Sequence, residues 1–249
     1  RNMASKAFYA IVAGVGPGTG RAAALRLAKA YPVVLLARKP DSYNDLVAEI
    51  KSGGGSAVGI SADTSDAGSV RSAFAAIKNE LPDSKLAAAV YNVGAGFAIK
   101  PFLENSAEEL ESSLSANAGG LFNFAQSSIP LLLESVDGAP HPPTLIVTGA
   151  TASLKGSARF ATFAAGKFAK RAIAQSLARE FGPKGVHIAH VIVDGIIDTP
   201  RTKEYRANDG APDGAIDPNA IADTFWHLHT QPRSAFTFEA DLRPFVEKF

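Results

Sequence analysis

Two kinds of apolar spacing alternate along the chain. Short runs dense in aliphatic residues, bounded by turn residues, fall at about 7–13, 32–37, 56–62, 86–93, 143–148, 186–193 and 235–240. These read as strands. Between them, near 18–30, 42–52, 66–81, 106–134, 160–182 and 218–230, apolar residues recur at helical spacing. Strand–helix alternation from end to end predicts an α/β fold, a doubly wound parallel sheet with helices on both faces. Asp217-Pro218 reads as an N-cap followed by a proline in the first turn. Gly53-Gly54-Gly55 reads as a helix stop, and Gly138–Pro143 as a surface loop. No repeat or linker interrupts the pattern, so residues 1–249 are expected to form a single domain. The segment 160–182 carries Phe160, Phe163, Phe168, Ile173, Leu177 and Phe181 among many alanines, more apolar surface than one sheet face needs.

Composition narrows the function classes. A chain of 249 residues, 46% of them hydrophobic, can bury one sizeable core. A net charge of +1 gives no reason to expect a nucleic-acid or membrane-surface partner. There is no cysteine, which excludes disulfides, thiolate catalysis and Cys-type zinc sites and fits a cytoplasmic location. No apolar run reaches the ~18 residues of a membrane span, and Arg1–Ala4 lacks the apolar core of a signal peptide. His187 and His190 are three apart on a strand, so they face opposite sides. His227 and His229 are two apart on a helix and share no face. Neither pair chelates and no HExxH occurs, so no metal site is expected, and the histidines should be solvated or capping. The absence of GxSxG leaves a hydrolase of that type unsupported.

The first strand runs into Gly14-Val15-Gly16-Pro17-Gly18-Thr19-Gly20, where a helix opens. Glycines let the backbone turn tightly and approach a pyrophosphate, and the helix N-terminus adds free N–H groups and a favourable dipole. Arg21 rather than lysine follows the last glycine, which argues against a P-loop. Strand two ends at Ala37-Arg38-Lys39. A dinucleotide without a 2′-phosphate meets a carboxylate at this point, whereas two cations favour the 2′-phosphate. NADP(H) is therefore preferred over NAD(H), with nearby Asp41 weighing the other way.

Taken together these residues resemble the short-chain dehydrogenase/reductase family over nearly the whole chain. Gly14, Gly18 and Gly20 match its TGxxxGxG motif, with Ala13 for the threonine. Asp63, in Ala62-Asp63-Thr64, matches the aspartate that contacts adenine. Tyr91-Asn92-Val93-Gly94 matches NNAG with two changes. Asn117 matches the mid-helix asparagine and Lys167 the lysine of YxxxK. Asp194-Gly195-Ile196-Ile197-Asp198-Thr199 matches PGxxxT, with aspartate for proline. The resemblance implies a seven-stranded sheet of order 3-2-1-4-5-6-7. It also places Gly16, Thr19, Thr64, Val93, Gly94, Asp194, Ile196 and Ile197 beside the cofactor, with Thr199 on the nicotinamide carboxamide.

Two departures fall on the chemistry. The tyrosine position is Phe163, and the serine position is Ala150, or Thr151 if the register slips by one. In the family the tyrosine hydroxyl moves the proton and the serine hydroxyl polarises the carbonyl. The lysine holds the nicotinamide ribose, and the asparagine positions a water. Positioned acid–base help is worth roughly 10²–10⁴ in rate and an oxyanion donor roughly 10²–10³. Thr151, Ser153 and Asp194 are candidate substitute groups; each reads equally as pocket lining or loop support. Two functions stay open. One is an NADP(H)-dependent oxidoreductase acting on a carbonyl or imine of a small-molecule substrate. The other is a non-redox NADP(H)-binding protein. The resemblance further implies a homodimer or homotetramer through the helices at 106–134 and 160–182, and a substrate lid at 200–216. Trp226, Phe236, Phe238 and Phe245 are expected to pack in the core.

Overall fold

The computed structural model describes residues 7–94 and 99–248. Arg1–Ala4, read above for a signal sequence, lies outside the described residues. Seven strands form one sheet: β1 (Phe8–Ala13), β2 (Val33–Ala37), β3 (Ala57–Ser61), β4 (Lys85–Tyr91), β5 (Thr144–Thr148), β6 (His187–Val193) and β7 (Glu239–Leu242). Their order is β3-β2-β1-β4-β5-β6-β7, and every neighbouring pair is parallel. This is the Rossmann-type order expected from the sequence.

Alternation along each strand feeds two cores. Ala10 and Val12 of β1 face one side, where α1 (Thr19–Ala28), α2 (Asn44–Ser52) and α7 (Pro218–His229) close over them. Tyr9, Ile11 and Ala13 face the other, under α3 (Ala67–Glu80), α5 (Gly120–Leu133) and α6 (Ala161–Phe181). A strand covered on both faces needs apolar residues at both parities, which is why these runs lack a polar face. Asp217 caps α7, its carboxylate accepting from Asn219 N, as its sequence position predicts. Among the described residues no helix is long and apolar enough to cross a membrane.

Four expectations need correcting. The helical pattern at 106–134 is broken: α4 (Ala107–Leu114) passes through a π-helical turn at Ser115–Gly119 before α5 begins. Tyr91 Oη donates to Ala116 O at 2.8 Å, drawing that carbonyl out of the helical ladder. A Cβ on Gly120 would lie 2.1 Å from the same hydroxyl, so glycine there makes room for Tyr91. The last strand lies at Glu239–Leu242 rather than 235–240, because Ala235 N turns back onto Pro232 O and holds that stretch in a turn. His187, His190 and His229 are buried rather than solvated. His187 Nε2 meets Thr237 O at 2.8 Å and His190 Nδ1 meets Glu239 Oε2 at 2.8 Å, so each is partnered inside the fold. Of the four C-terminal aromatics, Phe238 and Trp226 pack against the cores, whereas Phe245 is 81% exposed.

Candidate active site

The parallel strands all end on one edge, and their loops enclose a cleft of about 710 Å³ there. One wall is backbone. Gly14 has φ +88°, and a Cβ on it would lie 2.7 Å from Asn92 C and Val93 N. Asn92 Nδ2 donates to Gly14 O at 3.0 Å and locks the two loops together. A Cβ on Gly20 would sit 2.4 Å from Gly14 O. Gly18 precedes α1 without a side-chain cap, and the first turn of α1 holds no acidic residue. Its N-terminal N–H groups and positive dipole end thus meet no competing carboxylate from that turn. Thr19 Oγ1 is buried with no hydrogen-bond partner among the described residues. A close-packed turn and an unpaired buried hydroxyl at a helix N-terminus fit a pyrophosphate.

Arg38 and Lys39 follow β2 and are exposed; Asp63 follows β3. Asp63 accepts from Ser65 Oγ at 2.6 Å and Ser65 N at 3.0 Å. Chiefly through the Ser65 hydroxyl, and with Arg38 adding to it, its carboxyl is held below the usual range. Thr64 is buried and bonds Tyr91 Oη at 3.2 Å, while its carbonyl accepts from Asn123 Nδ2.

The opposite wall is made of side chains. Ala150 and Thr151 come from the loop after β5, Phe163 and Lys167 from the first turns of α6, and Asp194, Ile196, Ile197 and Thr199 from the loop after β6. With Gly16 and Gly94 they line the same cleft as the glycine turn. Adding a Cβ to Gly18 would bring it within 2.8 Å of Thr199 Cγ2, so the two walls touch at that point. Asn117 is fully buried in the π-helical turn; its Nδ2 donates to Ser113 O at 3.0 Å, and its Oδ1 has no partner among the described residues. A Cβ on Gly94 would be 3.5 Å from both Asn117 Oδ1 and Lys167 Nζ, so these two groups converge behind that glycine. Lys167 is only 8% exposed, with Nζ 5.5 Å from the centre of the Phe163 ring. Burial brings its pKa down to about 8.

Seven of the sequence candidates do not line the cleft: Arg38, Lys39, Asp63, Thr64, Val93, Asn117 and Ser153. Ser153 is fully buried, and its Oγ accepts from Ala150 N at 3.1 Å, so it shapes the loop. Val93 turns its carbonyl toward Lys170. Asp194 is paired twice: Thr151 Oγ1 donates to Oδ1, and Arg243 Nη2 lies 3.1 Å from Oδ2. The Thr151 proton is thereby directed at Asp194. Over the cleft, residues 200–216 are tied down by Asn208 Nδ2, which donates to Gly214 O and to Glu247 Oε2, each at 2.8 Å.

Sequence reasoning missed Arg243 and the burial of Lys170. Nothing in the local sequence marks Arg243, which reaches Asp194 from beyond β7. Lys170 did carry a signal: it is three residues after Lys167, on the same helical face as Phe163 and Ala174.

Similar proteins have this architecture. A crystal structure of a short-chain dehydrogenase from Rhodopseudomonas palustris is 32% identical, with a TM-score of 0.78 over 97% of this chain and 100% of that one. A short-chain dehydrogenase/reductase of Armillaria gallica is 29% identical over 216 residues, 86% of this chain and 80% of the relative. A metagenomic short-chain oxidoreductase solved in complex with NADP shares the fold, with a TM-score of 0.80 at 22% identity over 98% of this chain and 99% of that one. Residues 9–210 match the short chain dehydrogenase family as a whole, and the chain belongs to that family.

Proposed function

We propose that the chain is an NADP(H)-dependent oxidoreductase with a depleted proton-transfer set, reducing a carbonyl or imine of a small organic substrate. The observation that carries this reading is one cleft in which the glycine turn and buried Lys167 meet Phe163 and Ala150. Gly14, Gly18 and Gly20 admit the pyrophosphate to the backbone, and Thr19 offers it a hydroxyl. Arg38 and Lys39 meet the 2′-phosphate, and Asp63 the adenine. Lys167 holds the nicotinamide ribose and Thr199 the carboxamide. The reduced nicotinamide, when bound, supplies a hydride. What the protein adds is placement, and proximity alone can contribute about 7–11 kcal/mol of a barrier.

Neither Phe163 nor Ala150 offers a hydroxyl to the substrate oxygen. An iminium already carries its charge and needs less proton help, which makes C=N substrates the better match to Phe163. The same pair of residues favours a second reading, a non-redox protein that binds NADP(H) and responds to it or shapes a substrate. Fluorescence titration with NADPH and NADH, then single-turnover oxidation of bound NADPH across a carbonyl and imine panel, separates the two. Turnover on an imine or ketone supports the first. Tight NADPH binding with no turnover on any member selects the second, and no binding of either nucleotide removes both.

Leu110, Leu114, Phe122 and Phe168 are exposed on the α4, α5 and α6 side. That exposure supports a homodimer or homotetramer through these helices. A monomer by light scattering at micromolar concentration would rule this out.

A further inference from the structure

The inner face of α6 carries two lysines where one would serve. Phe163, Lys167, Lys170 and Ala174 are spaced by four, three and four residues and share one side of the helix. Lys167 is 8% exposed and Lys170 not at all. Among the described residues neither forms an ion pair with a carboxylate. Glu239, the acid on the neighbouring strand, is held by Arg171 and His190. Lys170 Nζ instead donates to Val93 O and, at 3.5 Å, to Thr148 O, with the Tyr91 ring centre 5.2 Å away. The titratable groups that act on Lys170 include Lys167, and Lys170 in turn acts on His190 of β6.

Lys167 Nζ lies 3.5 Å from where a Cβ on Gly94 would sit, and Lys170 Nζ donates to the carbonyl of the preceding Val93, so the two amines converge on consecutive residues. An ammonium has three donors and no acceptor, so a hydrogen bond between the two needs one neutral amine. Two buried cations in contact without a counter-ion would also repel strongly in this low-dielectric setting. Burial and the neighbouring charge push Lys170 well below the usual lysine range, while Lys167 stays nearer to it. Of the two, Lys167, the lysine that lines the cleft, is the one that holds its proton to higher pH.

We propose that Lys167 and Lys170 share a single proton, and that Lys167 Nζ delivers it to the substrate in place of the hydroxyl position 163 lacks. This rests on the oxidoreductase reading and names its acid. Of the groups beside it, Phe163 and Ala150 have no proton to give, that of Thr151 is directed at Asp194 and Thr199 Oγ1 is bonded to Thr202 Oγ1, while Lys155 and Ser157, which also line the cleft, are exposed to solvent. With three N–H donors, Lys167 can bond Lys170 and still reach both a ribose hydroxyl and the substrate. In the step, with a bound reduced nicotinamide supplying the hydride to the substrate carbon, Lys167 Nζ would give its proton to the substrate oxygen. The C=O π bond becomes a C–H and an O–H bond. The amine left behind is reprotonated by water from the mouth of the cleft. An imine nitrogen takes the proton in the same way.

The shared proton is testable without cofactor, by NMR titration of the protein carrying ¹³C at lysine Cε. The native protein should show one lysine that remains an amine through the neutral range and a second that titrates near pH 8. Lys170→Met should remove the first signal and move the second downward by more than about half a pH unit, because burial then acts without an acceptor. If all lysines remain ammonium up to pH 10, the proposal is overturned. Delivery is read from the pH profile of kcat at saturating NADPH: its basic limb should move in Lys170→Met by the shift measured in the titration. An unmoved limb overturns delivery. NADPH affinity, measured separately by fluorescence, should stay within about threefold, since Lys170 does not face the cleft. A native protein that binds no NADPH would remove the oxidoreductase reading and the delivery step with it, while the cofactor-free titration would still decide the shared proton.

Discussion

The two walls of the cleft are built on different terms. The wall at β1–α1 is backbone against backbone, with Gly14 and Gly20 leaving less than 3 Å for any added carbon. The wall at β5–α6–β6 is side chain against side chain, and there chemistry can change while shape is kept. Phe163 has the ring of a tyrosine without a hydroxyl, and Asp194 is held by Thr151 and Arg243. A site built from backbone dictates residue identity by space. A site built from side chains dictates only volume and polarity, so it can lose a proton donor and still fold.

The sharpest way to test that contrast is to fill the backbone wall. Gly20→Val should weaken NADPH binding by more than about 100-fold, because its Cβ meets the Gly14 carbonyl and the turn must open. Gly16→Ala, with nothing within 4 Å of the added carbon, should change binding by less than about threefold. Fluorescence titration of both variants decides the matter; equal losses would mean that composition rather than space governs this wall. The side-chain wall should behave in the opposite way. Phe163→Tyr combined with Ala150→Ser should leave the fold intact and raise ketone reduction by about 10²-fold or more. If the double variant melts normally and gains nothing, the scaffold lacks more than two hydroxyls.

The same contrast explains what was legible in the sequence. The strands and the glycine turn could be read because parallel strands need apolar residues at both parities and a turn without room needs glycine; both are local demands, whereas the strand order came only with the family resemblance. The π-helical turn was hidden because its cause, the Tyr91 hydroxyl on Ala116 O, lies 25 residues away. Arg243 was hidden for the same reason, reaching back across β7 to Asp194. The histidines misled because spacing reports whether two of them can share a ligand and says nothing of what covers them. Lys170 could have been found: a charge three residues after Lys167, with Ala174 one turn further on, interrupts an otherwise apolar face, and a charge there needs an explanation.

Smaller effects sharpen the comparison at its edges. Arg38 is exposed after β2, so its replacement should leave the fold unchanged. Arg38→Ala should weaken NADPH binding by about 10–100-fold, the worth of a charge-assisted bond to phosphate, and leave NADH binding nearly unaltered. Parallel titrations with both nucleotides measure the ratio, and a ratio that does not move would return the cofactor preference to an open question.

The smallest expected effect concerns the joint between the two halves. His229 bridges them, with Nε2 2.9 Å from Tyr31 Oη after α1 and Nδ1 3.0 Å from Thr144 Oγ1 at the start of β5. Burial, reinforced by His141 and His187, lowers its pKa from 6.5 to about 3. A histidine whose pKa falls on folding gives up stability as pH drops through its unfolded value, because the unfolded chain takes the proton and the folded chain refuses it. The loss begins near pH 6.5, grows as the pH falls, and levels off near 3. At pH 5.5 one such group shifts the folding equilibrium about tenfold, or about 1.4 kcal/mol. His229→Gln keeps a hydrogen-bonding side chain between Tyr31 and Thr144 but cannot titrate. Its urea-unfolding free energy should therefore fall less between pH 7.5 and 5.5 than that of the native protein, by about that amount. The buried His187 and His190 account for part of the acid loss that remains, since burial lowers both in the same direction. If the variant and the native protein lose the same stability over this range, His229 does not stay neutral in the fold, and the joint between the two walls is held by something other than a buried neutral imidazole.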